Sequence, residues 1–506
     1  MALNWLCFVL LTIVLHKGCV SVADKPKTVT GSDKGGRHLI LVISLDGFSH
    51  RYIENFTLEN LSRIYARGSY PESFRNQFVT KTYPNHFTVA TGVYEEVHGV
   101  VGNTVFDPVL QQKLGITDKG FFTQNPSIYP IWTLNEANGG HSGCIMWPGC
   151  TATFHGRNVT FYEPYKPKAA LKDSLSRAFQ WFNDANTPAN LIFLYHEQPD
   201  AAGHAYGAES PHILDELLKI DEAMGFLFQL ITLNNLQERL DIIVLSDHGM
   251  SSIPETNIID LTTIVDSSMY TFTGSSPVLN VWPTYDHQID VYSRLLEGQK
   301  THNYSVFSKD GIPEEWHYKK NPRVSPILLI ADEGYVFQDF IDLINFYKKE
   351  KMPDLTDVHG DHGYPVYVQS MEPIFVALGP SFKHRFQAPP FSNVDVYPLL
   401  CHLLSLTPGP TNGTLENIST MLALPITSLI QPLLIALGCL VGLIGVIGVI
   451  ACILSKRDSG RRVSADALIN GYVHRKVMRG GSSRPGEGDI SEEEGLLESE
   501  VATIDL

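Results

Sequence analysis

Cysteine is nearly absent from the part of the chain that has to fold in water. Of seven cysteines, Cys7 and Cys19 lie in an N-terminal apolar leader and Cys439 and Cys452 in a C-terminal apolar run. Only Cys144, Cys150 and Cys401 remain, which excludes a disulfide-dense secreted module. At most one bridge is available, with Cys144 and Cys150 the nearest pair and one thiol left over. Basic charge is also in deficit, with a formal net charge of −16. The segment from Lys456 onward holds 8 basic and 10 acidic residues, so most of the excess acid belongs to the body of the chain. An acidic surface argues against nucleic acid as a partner. It leaves an anionic substrate open, because bound metal ions reverse the local field. Internal repeats are lacking, and no polar linker divides Arg37 from Leu406, so one large domain is expected there.

Two apolar runs set the expected topology. Leu3 to Leu15 is too short to span a bilayer and is followed by Ser21-Val22-Ala23, the small-x-small pattern of a cleavage site, so residues 1–23 read as a signal peptide. The run 433–454 carries no charge over 22 residues, enough to cross a hydrocarbon core of roughly 30 Å. Lys456, Arg457, Arg461 and Arg462 follow it, which places the C-terminal tail, 455–506, in the cytosol and the bulk of the protein outside. The expectation is a single-pass type I protein of the cell membrane, or of an endosomal or lysosomal one. Six N-x-S/T sequons, at Asn55, Asn60, Asn158, Asn303, Asn412 and Asn417, all fall on the lumenal side of this topology. The Pro-, Asn- and Thr-rich stretch 408–432 reads as a glycosylated stalk. In the tail, Leu496 and Leu497 follow an acidic run, the form of a dileucine signal for a sorting adaptor.

Between these ends, 36–407 reads as an α/β domain with a mostly parallel central sheet flanked by helices. Strands are expected at His38 to Leu45, Asn190 to Tyr195, Leu240 to Ser246, Val278 to Trp282 and Ile374 to Leu378, mostly continuous apolar runs of the kind buried on both faces. Helices are expected at Ala169 to Asn183 and Pro211 to Leu233.

Four segments place Asp or His near predicted strand ends, where open α/β sheets bind ligands. They are Leu45-Asp46-Gly47-Phe48, Pro199-Asp200-Ala201-Ala202-Gly203-His204, Ser246-Asp247-His248-Gly249 and Gly360-Asp361-His362-Gly363. Taken singly, each is an ordinary turn or a structural histidine. Together they supply carboxylate oxygen and imidazole nitrogen in the mixture zinc accepts. Asp200 and His204, four residues apart, share one helix face. Thr82 lies in Thr80-Lys81-Thr82-Tyr83-Pro84-Asn85-His86, and Pro84 marks a helix start just after it. A helix N-terminus attracts a phosphoryl group, and a threonine hydroxyl attacks once a base or metal lowers its pKa. Without the metal set, Thr82 reads as a helix cap.

These segments, with Thr91-Gly92-Val93-Tyr94-Glu95-Glu96-Val97-His98-Gly99-Val100, resemble the ectonucleotide pyrophosphatase/phosphodiesterase family of the alkaline phosphatase superfamily, in order and with similar spacing. Two modules of larger members, the cysteine-rich somatomedin-like repeats and the nuclease-like domain, are missing, so the resemblance is to the short, single-pass members, types four and five. Ser49 departs from the family, standing where arginine is frequent. The resemblance implies two zinc ions, one held by Asp200, His204 and His362, the other by Asp46, Asp247, His248 and the Thr82 oxygen. It implies Thr82 as nucleophile, Asn103 as a ligand of the phosphate oxygen, and Tyr83 and Tyr165 as the aromatic pair around a nucleobase. The expected reaction is hydrolysis of extracellular nucleotides or dinucleotides to nucleoside 5′-monophosphates through a phosphothreonine. The alternatives are a choline or lysophospholipid phosphodiesterase of the same family and a receptor-like ectodomain with little turnover.

Overall fold

The computed structural model describes residues 38–423 and 437–455. The leader, residues 424–436 and the tail with Leu496 and Leu497 lie outside the described residues. Three apolar runs form the centre of the molecule: β1 (Leu39–Leu45), β5 (Leu191–His196) and β6 (Leu240–Leu245) are buried at every position. The eight-stranded sheet is completed by β2 (Ser69–Pro71), β3 (Ser142–Ile145), β4 (Phe161–Glu163), β7 (Phe375–Leu378) and β8 (Phe386–Ala388), in the order β8-β2-β7-β6-β1-β5-β3-β4. β1 runs parallel to both neighbours, with Ile40 opposite Leu191 and Leu39 opposite Leu240. β7 is antiparallel to β6 and to β2. The sheet is thus mixed but mostly parallel, and the expected α/β class holds.

One strand lies elsewhere. Val278–Pro283 sits in a separate four-stranded antiparallel sheet with Tyr270–Ser275, Tyr304–Ser308 and Ile327–Ala331. Only Ser276 and Pro277 join it to the preceding strand, a connection that permits a hairpin and is far too short for a parallel crossover. This sheet has its own core around Leu279, Val281, Leu329 and Phe337.

The helices that matter for the site are α1 (Thr82–Thr91), α2 (Leu171–Phe182), α3 (Asp200–Tyr206), α4 (Pro211–Leu233) and α5 (Val396–Leu403). α4 begins with Pro211 after Ser210, where the missing N–H costs nothing. Its buried residues Ile213, Leu217, Ile220, Met224, Leu227 and Ile231 recur at helical spacing, an apolar stripe packed into the main core.

The folded domain extends past the boundary expected at 407. Thr411 Oγ1 and the Asn412 amide both donate to the Gly92 carbonyl, at 2.7 and 2.8 Å, and Ile418 and Met421 are fully buried. The start of the segment read as a stalk is therefore packed structure, because its apolar residues bury against the domain. Sequon asparagines Asn55, Asn158, Asn303, Asn412 and Asn417 are exposed, and Asn60 is partly buried. The Asn60 amide donates to Asp221 Oδ2 at 3.1 Å, and the Asn417 amide donates to Asp395 at 3.2 Å. The second unit is the 19-residue helix Leu437–Ser455, whose mean hydropathy of 2.8 is that of a membrane span.

Candidate metal centre and active site

Asp46, Asp247, His248 and His362 sit just past strand ends, while Thr82 and Asp200 open α1 and α3 and His204 lies one turn into α3. Asp46 directly follows β1, and the turn there needs glycine next: Gly47 has φ of +67°, and a Cβ on it would stand 2.9 Å from the Asp200 Cα. The same close approach lets the Asp200 amide donate to the Asp46 carbonyl at 3.0 Å, so the β1 turn and the start of α3 are knitted together. Asp247 and His248 follow β6, where Ser246 Oγ accepts from the Phe48 amide at 2.9 Å. His362 follows the strand Val358–Asp361, which packs on α3 so tightly that a Cβ on Gly360 would lie 2.3 Å from the Gly203 carbonyl oxygen.

Two groups of ligand atoms result. In one, His248 Nε2 lies 3.3 Å from Asp46 Oδ1, 3.0 Å from Asp247 Oδ2 and 3.2 Å from Thr82 Oγ1. In the other, Asp200 Oδ1 lies 3.4 Å from His204 Nε2 and 3.5 Å from His362 Nε2. Asp46, Asp247 and His248 form a compact donor cluster, and Asp200, His248 and His362 form a second that overlaps it. All seven residues expected from the sequence as ligands, Thr82 included, are brought together.

The donor atoms are set to face a cation. His204, His248 and His362 use Nδ1 on the carbonyls of Gly360, Gly249 and Thr80, at 2.8, 2.9 and 2.9 Å. A carbonyl only accepts, so Nδ1 carries the proton and each Nε2 lone pair is turned inward, the arrangement typical of metal-bound histidine. Asp46 Oδ1, Asp200 Oδ1 and Asp247 Oδ2 are buried without any hydrogen-bond partner. Buried carboxylate oxygens left bare are costly unless something positive satisfies them. The donor set of carboxylates and imidazoles fits a divalent ion such as zinc.

The electrostatics agree. Burial, then repulsion by Asp247 and Asp200, pushes the Asp46 carboxyl well above the usual range. Burial also raises Asp200, with His204 and His248 offsetting part of it. Burial tends to raise Asp247 as well, but His248 and His86 outweigh it and hold it low. Burial and neighbouring His248 push His362 well below the ordinary histidine value. Three acids packed this closely need positive charge.

The supporting shell explains why these atoms stay in place, and most of it was not anticipated from the sequence. Tyr195 Oη donates to Asp46 Oδ2 at 2.5 Å. His86 Nδ1 donates to the Thr82 carbonyl at 2.7 Å, and its Nε2 accepts from Ser44 Oγ at 2.8 Å. Lys81 Nζ donates to the Ser276 carbonyl at 2.6 Å and to Asp361 Oδ1 at 3.0 Å. Asp361 Oδ1 also accepts from the His362 amide at 2.8 Å, so Asp361, although close to the donors, is already engaged. His359 is likewise committed, to the Ala205 carbonyl and to Glu255. The readable signal was a polar residue closing an apolar strand: Ser44 and Tyr195 sit opposite each other in the β1–β5 register.

Thr82 is the first residue of α1, two positions earlier than Pro84 suggested, and is 8% exposed. Pro84 remains within the first turn, where its absent N–H is harmless. Asn103 Oδ1 accepts from the Tyr83 amide at 3.1 Å, which brings Asn103 to the same helix end. Tyr83 is half-buried, edge-on to Phe121 with ring centroids 6.3 Å apart. Tyr165 is 53% exposed, with its ring 6.5 Å from that of Tyr195. Burial, then the Glu197 carboxylate, raises the Tyr165 hydroxyl well above its usual value, and Tyr83 and Asp46 add to the shift. Cys144 and Cys150 form a disulfide, and Cys401 is a buried free thiol.

The sequence profile of the type I phosphodiesterase/nucleotide pyrophosphatase family matches residues 40–365. Human ectonucleotide pyrophosphatase/phosphodiesterase family member 5 is 35% identical over 385 residues, covering 76% of this chain and 78% of that protein. Human bis(5′-adenosyl)-triphosphatase ENPP4 is 34% identical over 386 residues, covering 76% of this chain and 82% of that one. Among solved structures, murine ectonucleotide pyrophosphatase/phosphodiesterase 5, an inactive threonine-to-alanine variant in complex with AMP, superposes with a TM-score of 0.70 at 35% identity. That match covers 77% of this chain and all of the murine one, 100%.

Proposed function

Since the chain belongs to the type I phosphodiesterase/nucleotide pyrophosphatase family, hydrolases of phosphodiester and pyrophosphate bonds, we propose that it cleaves extracellular nucleotides or dinucleotides to nucleoside 5′-monophosphates with two zinc ions and Thr82 as nucleophile. The observation that carries this reading is the set of three buried, unpartnered carboxylate oxygens on Asp46, Asp200 and Asp247, facing imidazole nitrogens beside the Thr82 hydroxyl. Asp46, Asp247, His248 and Thr82 would hold one ion, and Asp200, His204 and His362 the other. When bound, such ions supply Lewis-acid charge that lowers the hydroxyl pKa and offsets the phosphate's negative charge.

The chain's own groups do the rest. Thr82 Oγ1 gives up its proton to solvent and attacks phosphorus in line, a new O–P bond forms, and the bond to the leaving group breaks with its electron pair departing on that group. Water then attacks the phosphothreonine, the Thr82 O–P bond breaks, and the hydroxyl regains a proton. At the start of α1 the Tyr83 amide donates to Asn103 Oδ1 and the Asn85 amide to the Lys81 carbonyl, and Pro84 has no N–H. The Thr82 amide is thus the first-turn donor left for a phosphoryl oxygen, with the Asn103 side-chain N–H beside it. Tyr83 and Tyr165 offer ring faces to a base. His86, through the Thr82 carbonyl, fixes the helix start that carries the nucleophile.

ENPP4, by its name, acts on bis(5′-adenosyl) triphosphate, which makes a dinucleoside polyphosphate the first substrate to try here. The helix Leu437–Ser455 would anchor the catalytic domain on the outer or lumenal side of the cell, endosomal or lysosomal membrane, with the five exposed sequons glycosylated. The test is hydrolysis of thymidine 5′-monophosphate p-nitrophenyl ester. Turnover should disappear with a chelator and in Thr82→Ala, and full activity in that variant would refute the nucleophile.

A further inference from the structure

The lip that carries Tyr165 is fastened to the metal-binding segment by one side chain. Glu197 stands between β5 and α3, three residues ahead of Asp200. Its Oε2 accepts from the Tyr165 hydroxyl, and its Oε1 accepts from the Lys168 amide. Glu197 is itself part of a stiff block: its carbonyl accepts from the Ala201 amide at 3.1 Å, and the neighbouring Gln198 side chain accepts from the Ala202 amide at 3.1 Å. The lip, residues 164–168, follows β4, which is paired with β3 in the main sheet, and has few ties of its own. Pro164, Tyr165, Lys166, Pro167 and Lys168 are all exposed. Beyond Glu197, its contacts include the Met146 sulfur, which accepts from the Lys166 amide at 3.4 Å, and Arg177, whose Nε donates to Glu163 at 3.1 Å.

From this geometry we propose that Glu197 is a positioning residue that sets substrate choice. By clamping residues 165 and 168 to the block that carries Asp200, it holds the Tyr165 ring at a fixed distance from the reacting phosphate, so that a base stacked on that ring and the phosphate over Thr82 are engaged together. The proposal rests on the reading of Tyr83 and Tyr165 as the walls of a base slot. A fixed ring lowers the ordering cost of binding a nucleotide and does nothing for a phosphodiester that has no base.

The test compares Glu197→Ala with wild type as zinc-loaded, detergent-solubilised full-length protein on two esters, thymidine 5′-monophosphate p-nitrophenyl ester and bis(p-nitrophenyl) phosphate. The KM for the nucleotide ester should rise about tenfold, the loss of a charge-assisted hydrogen-bonded anchor, with kcat nearly unchanged. On bis(p-nitrophenyl) phosphate, kcat/KM should stay within about twofold, because remote binding energy is not used there. In a Tyr165→Ala background, adding Glu197→Ala should change the nucleotide KM no further, the non-additivity of residues acting as one unit. Equal losses on both esters, or additive losses in the double variant, would overturn the clamp and leave a merely structural carboxylate. Wild type inactive on both esters would instead overturn the reading of the site, and the clamp with it.

Discussion

Tyr195→Phe removes one oxygen atom and nothing else from the metal site, and its consequence follows from the geometry. The Tyr195 hydroxyl donates to Asp46 Oδ2 at 2.5 Å, while Oδ1 of the same carboxylate has no partner. One oxygen is anchored so that the other points at the cation. A hydrogen bond to a charged group is worth roughly 1.5–3 kcal/mol, or about 10- to 100-fold in an equilibrium constant. Loss of an outer-shell partner of a metal ligand typically costs about 10- to 100-fold in affinity. The ring itself stays packed, edge-on to His86 at 5.3 Å, so the metal-free variant should melt close to wild type. Turnover measured against buffered free zinc should therefore shift to about 10- to 100-fold higher zinc, with the plateau rate largely restored at saturation. An unchanged zinc requirement would refute the anchoring role. A large drop in the melting temperature of the metal-free protein would mean the hydroxyl serves the core and not the ligand.

Two buried groups away from the site give opposite pH dependences. Glu95 is fully buried with neither carboxyl oxygen paired, and burial pushes it well above the ordinary 4.5, with the Val79 amide offsetting only part. The folded chain then keeps a proton the unfolded chain releases, so stability falls as pH rises above 4.5, by up to about 1.4 kcal/mol per pH unit until the folded value is reached. Glu95→Gln should melt higher than wild type at neutral pH and converge with it below about pH 4. His98 accepts from the Val100 amide and donates to Thr88 Oγ1, each at 3.0 Å, and burial, with Arg323 nearby, lowers it from 6.5 to about 3. The unfolded chain here binds the proton first, so stability is lost as pH falls from 6.5 toward about 3. His98→Gln should flatten that acid limb of the melting curve, and an unaltered limb would show that other groups govern it.

Legibility from the sequence followed local physics. Continuous apolar runs found β1, β5, β6 and β7 to within a residue or so, because strands buried on both faces admit little else. Pro211 after Ser210 fixed the start of α4 outright. The candidate ligands were readable because they follow a strand or open the helix after it, and sheet topology gathers such ends on one side. Val278–Pro283 was misplaced because an apolar run does not say which sheet it joins; the two-residue link before it did. The packing of residues 411–421 was hidden by their polar composition, since Ile418 and Met421 are the buried exceptions in a turn-rich stretch. The roles of Tyr195, Lys81 and Glu197 were invisible for another reason. Their partners lie far away in sequence, Asp46 being 149 residues from Tyr195, and only the folded register brings them together.

The central claim is that two cations and one hydroxyl share a single pocket, and metal content measured together with turnover tests it most directly. Purified wild-type protein should carry two zinc ions per chain, lose turnover when they are chelated and regain it with zinc, whereas Thr82→Ala should retain bound metal and turn over nothing. A wild-type enzyme that works without bound metal, or a Thr82→Ala variant that still hydrolyses the nucleotide ester, would contradict the account.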